Sequence, residues 1–240
     1  MKAFLLAAGK GSRLGPITEH IPKCLVPING KPILQIWLEL CSRYGIDEVL
    51  INLHHLPDMV RDFINHLMWN LKITLFYEEK LLGSGGTIRA NHEFVKNEER
   101  FFIFYADNLT NVNLSQMISF DNAHRGPLTM GLFRTDSPET CGIAEIDQDA
   151  LIVGFEEKPK LPKSNLANAG IYLAKKETWD YIPHQEFVDF GFDILPRLVG
   201  KMYGYEIKEY LMDIGTIENY QKAQETWKEI ILERGERWRR

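Results

Sequence analysis

LLAAGKGSRLGPITEHIPKCLVPINGKP, residues 5–32, opens on an apolar run and turns within four residues into a glycine-rich loop. A short, continuous apolar segment closed by glycine is the pattern of a buried strand. Residues 2–8 therefore read as a first strand, with Gly9, Gly11 and Ser12 beyond its carboxyl end. Glycines in that place let backbone N–H groups converge on phosphate oxygens with no side chain in the way. Two common glycine motifs are excluded: Leu14 stands where a dinucleotide fingerprint needs its third glycine, and no Gly-Lys-Ser/Thr follows four spacers. Glycine spacing by itself fits an ordinary tight turn equally well. Arg13 and Lys23 shift the balance, because both cations can be turned toward one polyphosphate, where transfer at phosphorus requires charge to be stabilised.

Outward from that loop, residues 32–44 carry helical periodicity through Ile33, Ile36, Trp37, Leu40 and Cys41, and Gly45 stops it. Strands are expected at 48–53, 72–77 and 101–105, with helices over 57–69 and after Gly86. This alternation favours a mostly parallel sheet covered on both faces, an α/β doubly wound, Rossmann-like fold with ligands at the carboxyl ends of its strands. The second half reads differently: short β-rich stretches at 128–134, 143–146, 152–156 and 169–174 precede a helix over 193–199. A mixed-sheet extension forming the other wall of a cleft is expected. Residues 216–240 read as a terminal helix with Ile217, Tyr220, Ala223 and Trp227 on one face and a solvated basic end. With no internal repeat or linker, the chain reads as a single domain: 1–135, 136–216 and a closing helix 217–240.

A net charge of −5 over 240 residues argues against a broad surface for nucleic-acid phosphates or anionic lipid. No apolar stretch approaches the roughly 20 residues of a membrane span, and the start turns glycine-rich too early for a signal peptide. Cys24, Cys41 and Cys141 are odd in number and widely spaced, which suits a reducing, cytoplasmic compartment better than disulfides or structural zinc. Cys24 follows Lys23 and has a route to an activated thiolate, but packing is the simpler reading for all three.

Asp107 in Ala106-Asp107-Asn108 follows an apolar strand, and Asp213 in Leu211-Met212-Asp213-Ile214-Gly215-Thr216 follows another. Two carboxylates plus substrate phosphates are what Mg²⁺ usually accepts, although separation in sequence leaves open whether these two meet. An isolated Asp after a strand also serves as a turn or helix cap. His54 and His55 read as polar packing at a strand end.

Leu6-Ala7-Ala8-Gly9-Lys10-Gly11-Ser12-Arg13-Leu14 followed by Pro22-Lys23-Cys24-Leu25-Val26-Pro27 resembles the signature of the sugar-1-phosphate nucleotidylyltransferases, usually L-A-x-G-x-G-[ST]-R-L and P-K-x-L-[VL]-P. The resemblance covers nearly the whole chain. It implies that the loop at Leu6, Ala8, Gly9, Gly11 and Ser12 wraps the NTP phosphates, and that Arg13 and Lys23 support departure of pyrophosphate. Gly15 stands where many members carry Arg. The family's G-D-N and D-[IV]-G-[TS] aspartates hold the metal together, which makes Asp107 and Asp213 the implied Mg²⁺ ligands; Ala106 replaces the usual glycine. Phe155-Glu156-Glu157-Lys158-Pro159 is similar to the E-K-P element, with Lys158 on the sugar phosphate and Glu157 on a sugar hydroxyl. Gly142 and Asn168 match further sugar-side segments. The β-rich half is then the sugar-binding extension. Many members add a left-handed β-helix, and this chain carries no such hexapeptide pattern.

Glu78-Glu79-Lys80-Leu81-Leu82-Gly83-Ser84-Gly85-Gly86 looks like the base-contacting stretch of mannose-1-phosphate guanylyltransferases. Carboxylates at Glu78 and Gly83 backbone nearby suit guanine, whose N1–H and N2–H₂ are donors. The implied reaction transfers a nucleoside monophosphate from an NTP, GTP first, to a mannose- or heptose-type sugar 1-phosphate. Uridylyl or thymidylyl transfer, phosphocholine cytidylyl transfer through an aromatic cage at Phe187, Phe190 and Phe192, and a non-catalytic nucleotide-sugar sensor stay open. The partners are the two small substrates, without nucleic acid or membrane, and a homo-oligomer is compatible with the sequence.

Overall fold

The computed structural model describes residues 1–237, with side chains through Trp227; the basic end expected of the last helix lies outside the described residues. The sheet takes its position from strands that are apolar on both faces. Ala3 and Leu5 pack with Val49, Ile51, Phe102 and Phe104 in one core, whereas Phe4 packs with Leu50, Phe101 and Ile103 in the other. Successive side chains of a strand point to opposite faces, so a run with no polar alternation needs a cover on each side. Each fully buried side chain of this kind contributes about 1.5–3 kcal/mol.

The first half runs β1 (Lys2–Leu6), α1 (Ile17–His20), β2 (Pro27–Ile28), β3 (Lys31–Pro32), α2 (Ile33–Arg43), β4 (Glu48–Leu53) and α3 (Pro57–His66). It continues through β5 (Lys72–Tyr77), α4 (Ser84–Ala90), α5 (His92–Val95), β6 (Arg100–Tyr105), β7 (Asn108–Thr110), α6 (Leu114–Ala123) and β8 (Leu128–Arg134). The second half supplies β9 (Gly142–Ile146), β10 (Ile152–Glu157), β11 (Leu166–Lys175), α7 (Leu195–Leu198), β12 (Tyr203–Glu206), β13 (Leu211–Asp213) and α8 (Ile217–Arg237). β1 pairs in parallel with β4 and β6, and β4 with β5. The long strand β11 then joins the halves, running antiparallel to β6, β8 and β9 within one nine-stranded sheet. A separate ribbon pairs β7 with β13, the element that matters most for the site.

The mixed α/β fold with its mainly parallel centre agrees with the sequence reading. Two helices differ from expectation. α4 starts at Ser84 and so contains Gly85 and Gly86, whose N–H groups both donate to Val188 O, at 2.8 and 3.1 Å. A Cβ on Gly85 would sit 2.7 Å from side-chain atoms of Val188 and Ile194, so the glycines serve close approach rather than helix termination. The expected helix over 193–199 divides into a π-type turn at Phe190–Ile194 and the short α7. Among the described residues no helix is long and apolar enough to cross a membrane.

Candidate active site

The loop after β1 folds against itself through Thr18, whose hydroxyl donates to Gly11 O at 2.8 Å and Gly15 O at 3.2 Å. Gly11 has φ +67°, and a Cβ there would lie 2.9 Å from Thr18 Cγ2 and 3.1 Å from Lys23 Cβ. Glycine is therefore required by both backbone and space. That contact brings the start of the Lys23–Leu25 turn beneath the loop.

Lys23 is the centre of the site. Its side chain is 9% exposed, and its ammonium lies 2.6 Å from Asp107 Oδ2 and 3.7 Å from Asp213 Oδ1. Arg13 Nη2 approaches Asp213 Oδ2 at 3.9 Å from the solvent side. The two aspartates meet because of the β7–β13 ribbon: Asp213 stands opposite Asn108, and Ile214 N donates to Asp107 O at 3.1 Å. Gly215 N also donates to Asp213 Oδ1 at 2.7 Å. Burial, with the neighbouring charge of Asp107, raises the Asp213 carboxyl above the ordinary carboxylate range, against the pull of Lys23. Lys23 and Arg13 are thus the cations that face the two carboxylates.

Beside them opens a cleft of about 290 Å³ at the carboxyl ends of β1, β4 and β6. Leu6, Ala8, Gly9, Lys23, Glu78, Gly83 and Asp107 all line it; Gly11, Ser12 and Arg13 form the adjoining turn. Glu78 lines the cleft with its carboxylate already engaged. It is 3% exposed, its Oε1 accepts from Asn52 Nδ2 at 2.8 Å and from the Thr87 hydroxyl, and its Oε2 accepts from Leu82 N at 3.0 Å. A carboxylate turned inward and holding three donors braces the loop and keeps only a small part of its acceptor capacity for a base. Asn52 is equally committed, since its Oδ1 accepts from Ala7 N at 2.7 Å.

Gly142, Glu157, Lys158 and Asn168 gather in a second group, on β9, β10 and β11, outside the lining of that cleft. Glu157 pairs with Gly142 across the ladder, and a Cβ on Gly142 would strike the Glu157 carboxylate. Burial raises the Glu157 carboxyl; Lys158 opposes this and Asp189 adds to it. Lys158 is exposed and holds φ +53°, a conformation costing a side-chain-bearing residue on the order of 1 kcal/mol or more. Its N–H donates to Cys141 O at 3.0 Å. Asn168 is oriented by Tyr172 OH, 2.6 Å from its Nδ2, and by Gly170 N, which donates to its Oδ1 at 3.0 Å.

Asp189 was not legible as a site residue, yet it lines the cleft and adds negative charge at Glu157, so it links the two groups. Asn52 was missed too; its signal was a polar residue near the end of the apolar run of β4. The histidines behave as packing: His54 Nδ1 lies 2.9 Å from Glu78 O and His55 Nε2 3.0 Å from Thr18 O. Burial pushes the Cys24 thiol up to about 12, which removes it as a nucleophile. The three phenylalanines form no cage, because Phe190 is fully buried against Tyr172 while Phe187 and Phe192 are exposed. Among the described residues no three His, Cys, Asp or Glu side chains cluster as a metal-binding set.

The family model described as nucleotidyl transferase matches residues 2–229. The chain is 30% identical over 242 aligned residues to the UTP–glucose-1-phosphate uridylyltransferase of Synechocystis, over 93% of this chain and 62% of that one. It therefore spans less than two thirds of that relative. It is 29% identical to the D-glycero-α-D-manno-heptose 1-phosphate guanylyltransferase of Campylobacter jejuni, over 92% of this chain and 97% of the relative. The crystal structure of HddC from Yersinia pseudotuberculosis superposes with TM-score 0.80 at 26% identity, covering 94% of this chain and 99% of that one. With the glycine turn, the cations and the paired aspartates in place, the match over almost the full length settles that this chain belongs to the nucleotidyl transferase family.

Proposed function

We propose that the chain is a sugar-1-phosphate nucleotidylyltransferase, moving a nucleoside monophosphate from an NTP to a sugar 1-phosphate. The observation that carries this reading is the convergence of Asp107 and Asp213 on Lys23 beneath the glycine turn. The acceptor phosphate oxygen attacks the α-phosphorus in line; that P–O bond forms as the bond to the β-phosphate oxygen breaks, and pyrophosphate leaves. Lys23 and Arg13 offset the charge growing on the leaving group. A sugar phosphate is already ionised near neutral pH, so no strong general base is needed. The backbone at Leu6, Ala8, Gly9, Gly11, Ser12 and Gly83 holds the nucleotide, while Lys158, Glu157, Asn168 and Gly142, together with Asp189, place the acceptor.

The donor set at the aspartates fits Mg²⁺. Hard carboxylate oxygens from two aspartates gathered on one lysine suit an ion that completes its shell with water and substrate phosphates. Asp107 and Asp213 would hold it, and bound there it would neutralise phosphate charge.

GTP and a mannose- or heptose-type acceptor are favoured, in line with the Campylobacter relative, which aligns over nearly its full length. The test is pyrophosphate release by purified protein with Mg²⁺ against a panel of four NTPs and several sugar phosphates plus phosphocholine. GTP with a manno-configured acceptor should give the fastest turnover. Faster turnover with another pair would reassign the substrates, and tight nucleotide binding without release by any pair would make the chain a sensor.

A further inference from the structure

We propose that Phe187 is the stacking platform for the nucleobase and biases the cleft toward a purine. This rests on the nucleotidyl transfer reading and names the substrate class of the same site. Phe187 is 55% exposed although it lines the cleft, and Leu81, 37% exposed, lines it too. The ring lies over the loop expected to meet the base, since a Cβ on Gly83 would be 3.2 Å from Phe187 Cε2 and closer still to the Val188 carbonyl. Backbone bonds fasten the two segments together: Val188 N donates to Leu82 O at 2.9 Å, and Gly85 N to Val188 O at 2.8 Å. The backbone that carries the ring is thus tied to the nucleotide loop at the next residue instead of standing on a free loop.

The floor of the cleft favours a face contact. Glu78, Asn52 and Thr87 satisfy one another and the backbone, so none of their side chains is left to read the edge of a base strongly. Recognition then passes to backbone groups and to apolar surface. An exposed aromatic ring in a cleft for a planar heterocycle gains offset stacking, and the bicyclic purine overlaps it more than a pyrimidine does. Phe192 is a natural control: it is 57% exposed, five residues on, and outside the lining.

Equilibrium binding of GTP and of UTP to the full chain with Mg²⁺, without acceptor, tests this by calorimetry. Phe187→Ala and Phe187→Leu should weaken GTP about tenfold and UTP no more than about threefold, Phe187→Tyr should restore GTP, and Phe192→Ala should leave both unchanged. Equal losses for the two nucleotides, unaltered GTP binding, or an effect confined to the acceptor KM would overturn the platform while leaving the transfer reading in place. Wild-type protein that binds no NTP would remove both. Because Phe187 is mostly exposed, unfolding does not confound the substitutions, and the leucine variant keeps the apolar bulk while deleting the aromatic face.

Discussion

The cleft that we propose for the nucleotide and the neighbouring group that we propose for the acceptor are built on opposite terms. On the nucleotide side the polar floor is largely committed: Glu78, Asn52 and Thr87 are buried and hydrogen-bonded to one another, and glycines are fixed by close approach. On the acceptor side Glu157 is a half-buried carboxylate raised by burial and by the charge of Asp189, and Lys158 is exposed on a strained backbone. Among the described residues the Glu157 side chain has no hydrogen-bond partner, so its acceptor capacity is free for incoming hydroxyls. A closed floor selects by shape and presentation, whereas an open, charged wall selects by the bonds it still has to make.

The deepest break in this arrangement is expected at the seam. Asp107→Ala or Asp213→Ala should lower turnover by about three orders of magnitude or more while the melting temperature stays near wild type; pyrophosphate release beside a thermal melt checks both. Wild-type rates in either variant would end the shared-site account. Lys158→Ala tests the acceptor wall alone. The KM for sugar phosphate should rise roughly tenfold with the KM for NTP unmoved, and a rise in the NTP value instead would place Lys158 on the wrong wall.

Rigidity of the nucleotide side is probed by Gly85→Ala. The added methyl meets Val188 and Ile194 at 2.7 Å, and overpacking of that kind costs about 1–3 kcal/mol in chemical denaturation. A neutral result would mean that the segment carrying Val188 yields freely. The smallest effect is expected from Glu157→Gln. The folded carboxyl titrates above its unfolded value, so its contribution favours folding below the unfolded pKa and is lost as pH rises through the folded one. At neutral pH the glutamine variant should therefore be slightly more stable, by less than about 1 kcal/mol for a partly wet group, yet bind the acceptor worse. Melting curves from pH 4 to 8 would contradict this if the two proteins ran parallel throughout.

Much of the scaffold was readable beforehand, and the reason is burial. β4, β5 and β8 fall on residues 48–53, 72–77 and 128–134 as expected, because runs of apolar and β-branched residues between turn signals have few other uses. α6 and β12 were not foreseen. α6 buries only Leu114 and Met117 together with the charged Asp121, a weak apolar stripe, and Tyr203-Gly204-Tyr205-Glu206 owes its strand state to pairing with β8 rather than to its own preference. Local sequence placed Arg13, Lys23, Asp107 and Asp213 as candidates, but their meeting depends on the β7–β13 ribbon, and strands of three residues leave almost no periodic trace. Asp189 carries no pattern at all, and the inward turn of Glu78 depends on Asn52 and Thr87, partners whose approach is a tertiary event.

The ribbon also has a consequence in time. Its two strands lie about a hundred positions apart, at 108–110 and 211–213. On the ribosome, the parallel sheet and the glycine turn can collapse early, as N-terminal units do during synthesis. Lys23 then has only Asp107 for company until residues 211–213 are made. The paired aspartates thus come together only when β13 docks on β7, whatever the rest of the sheet has done before.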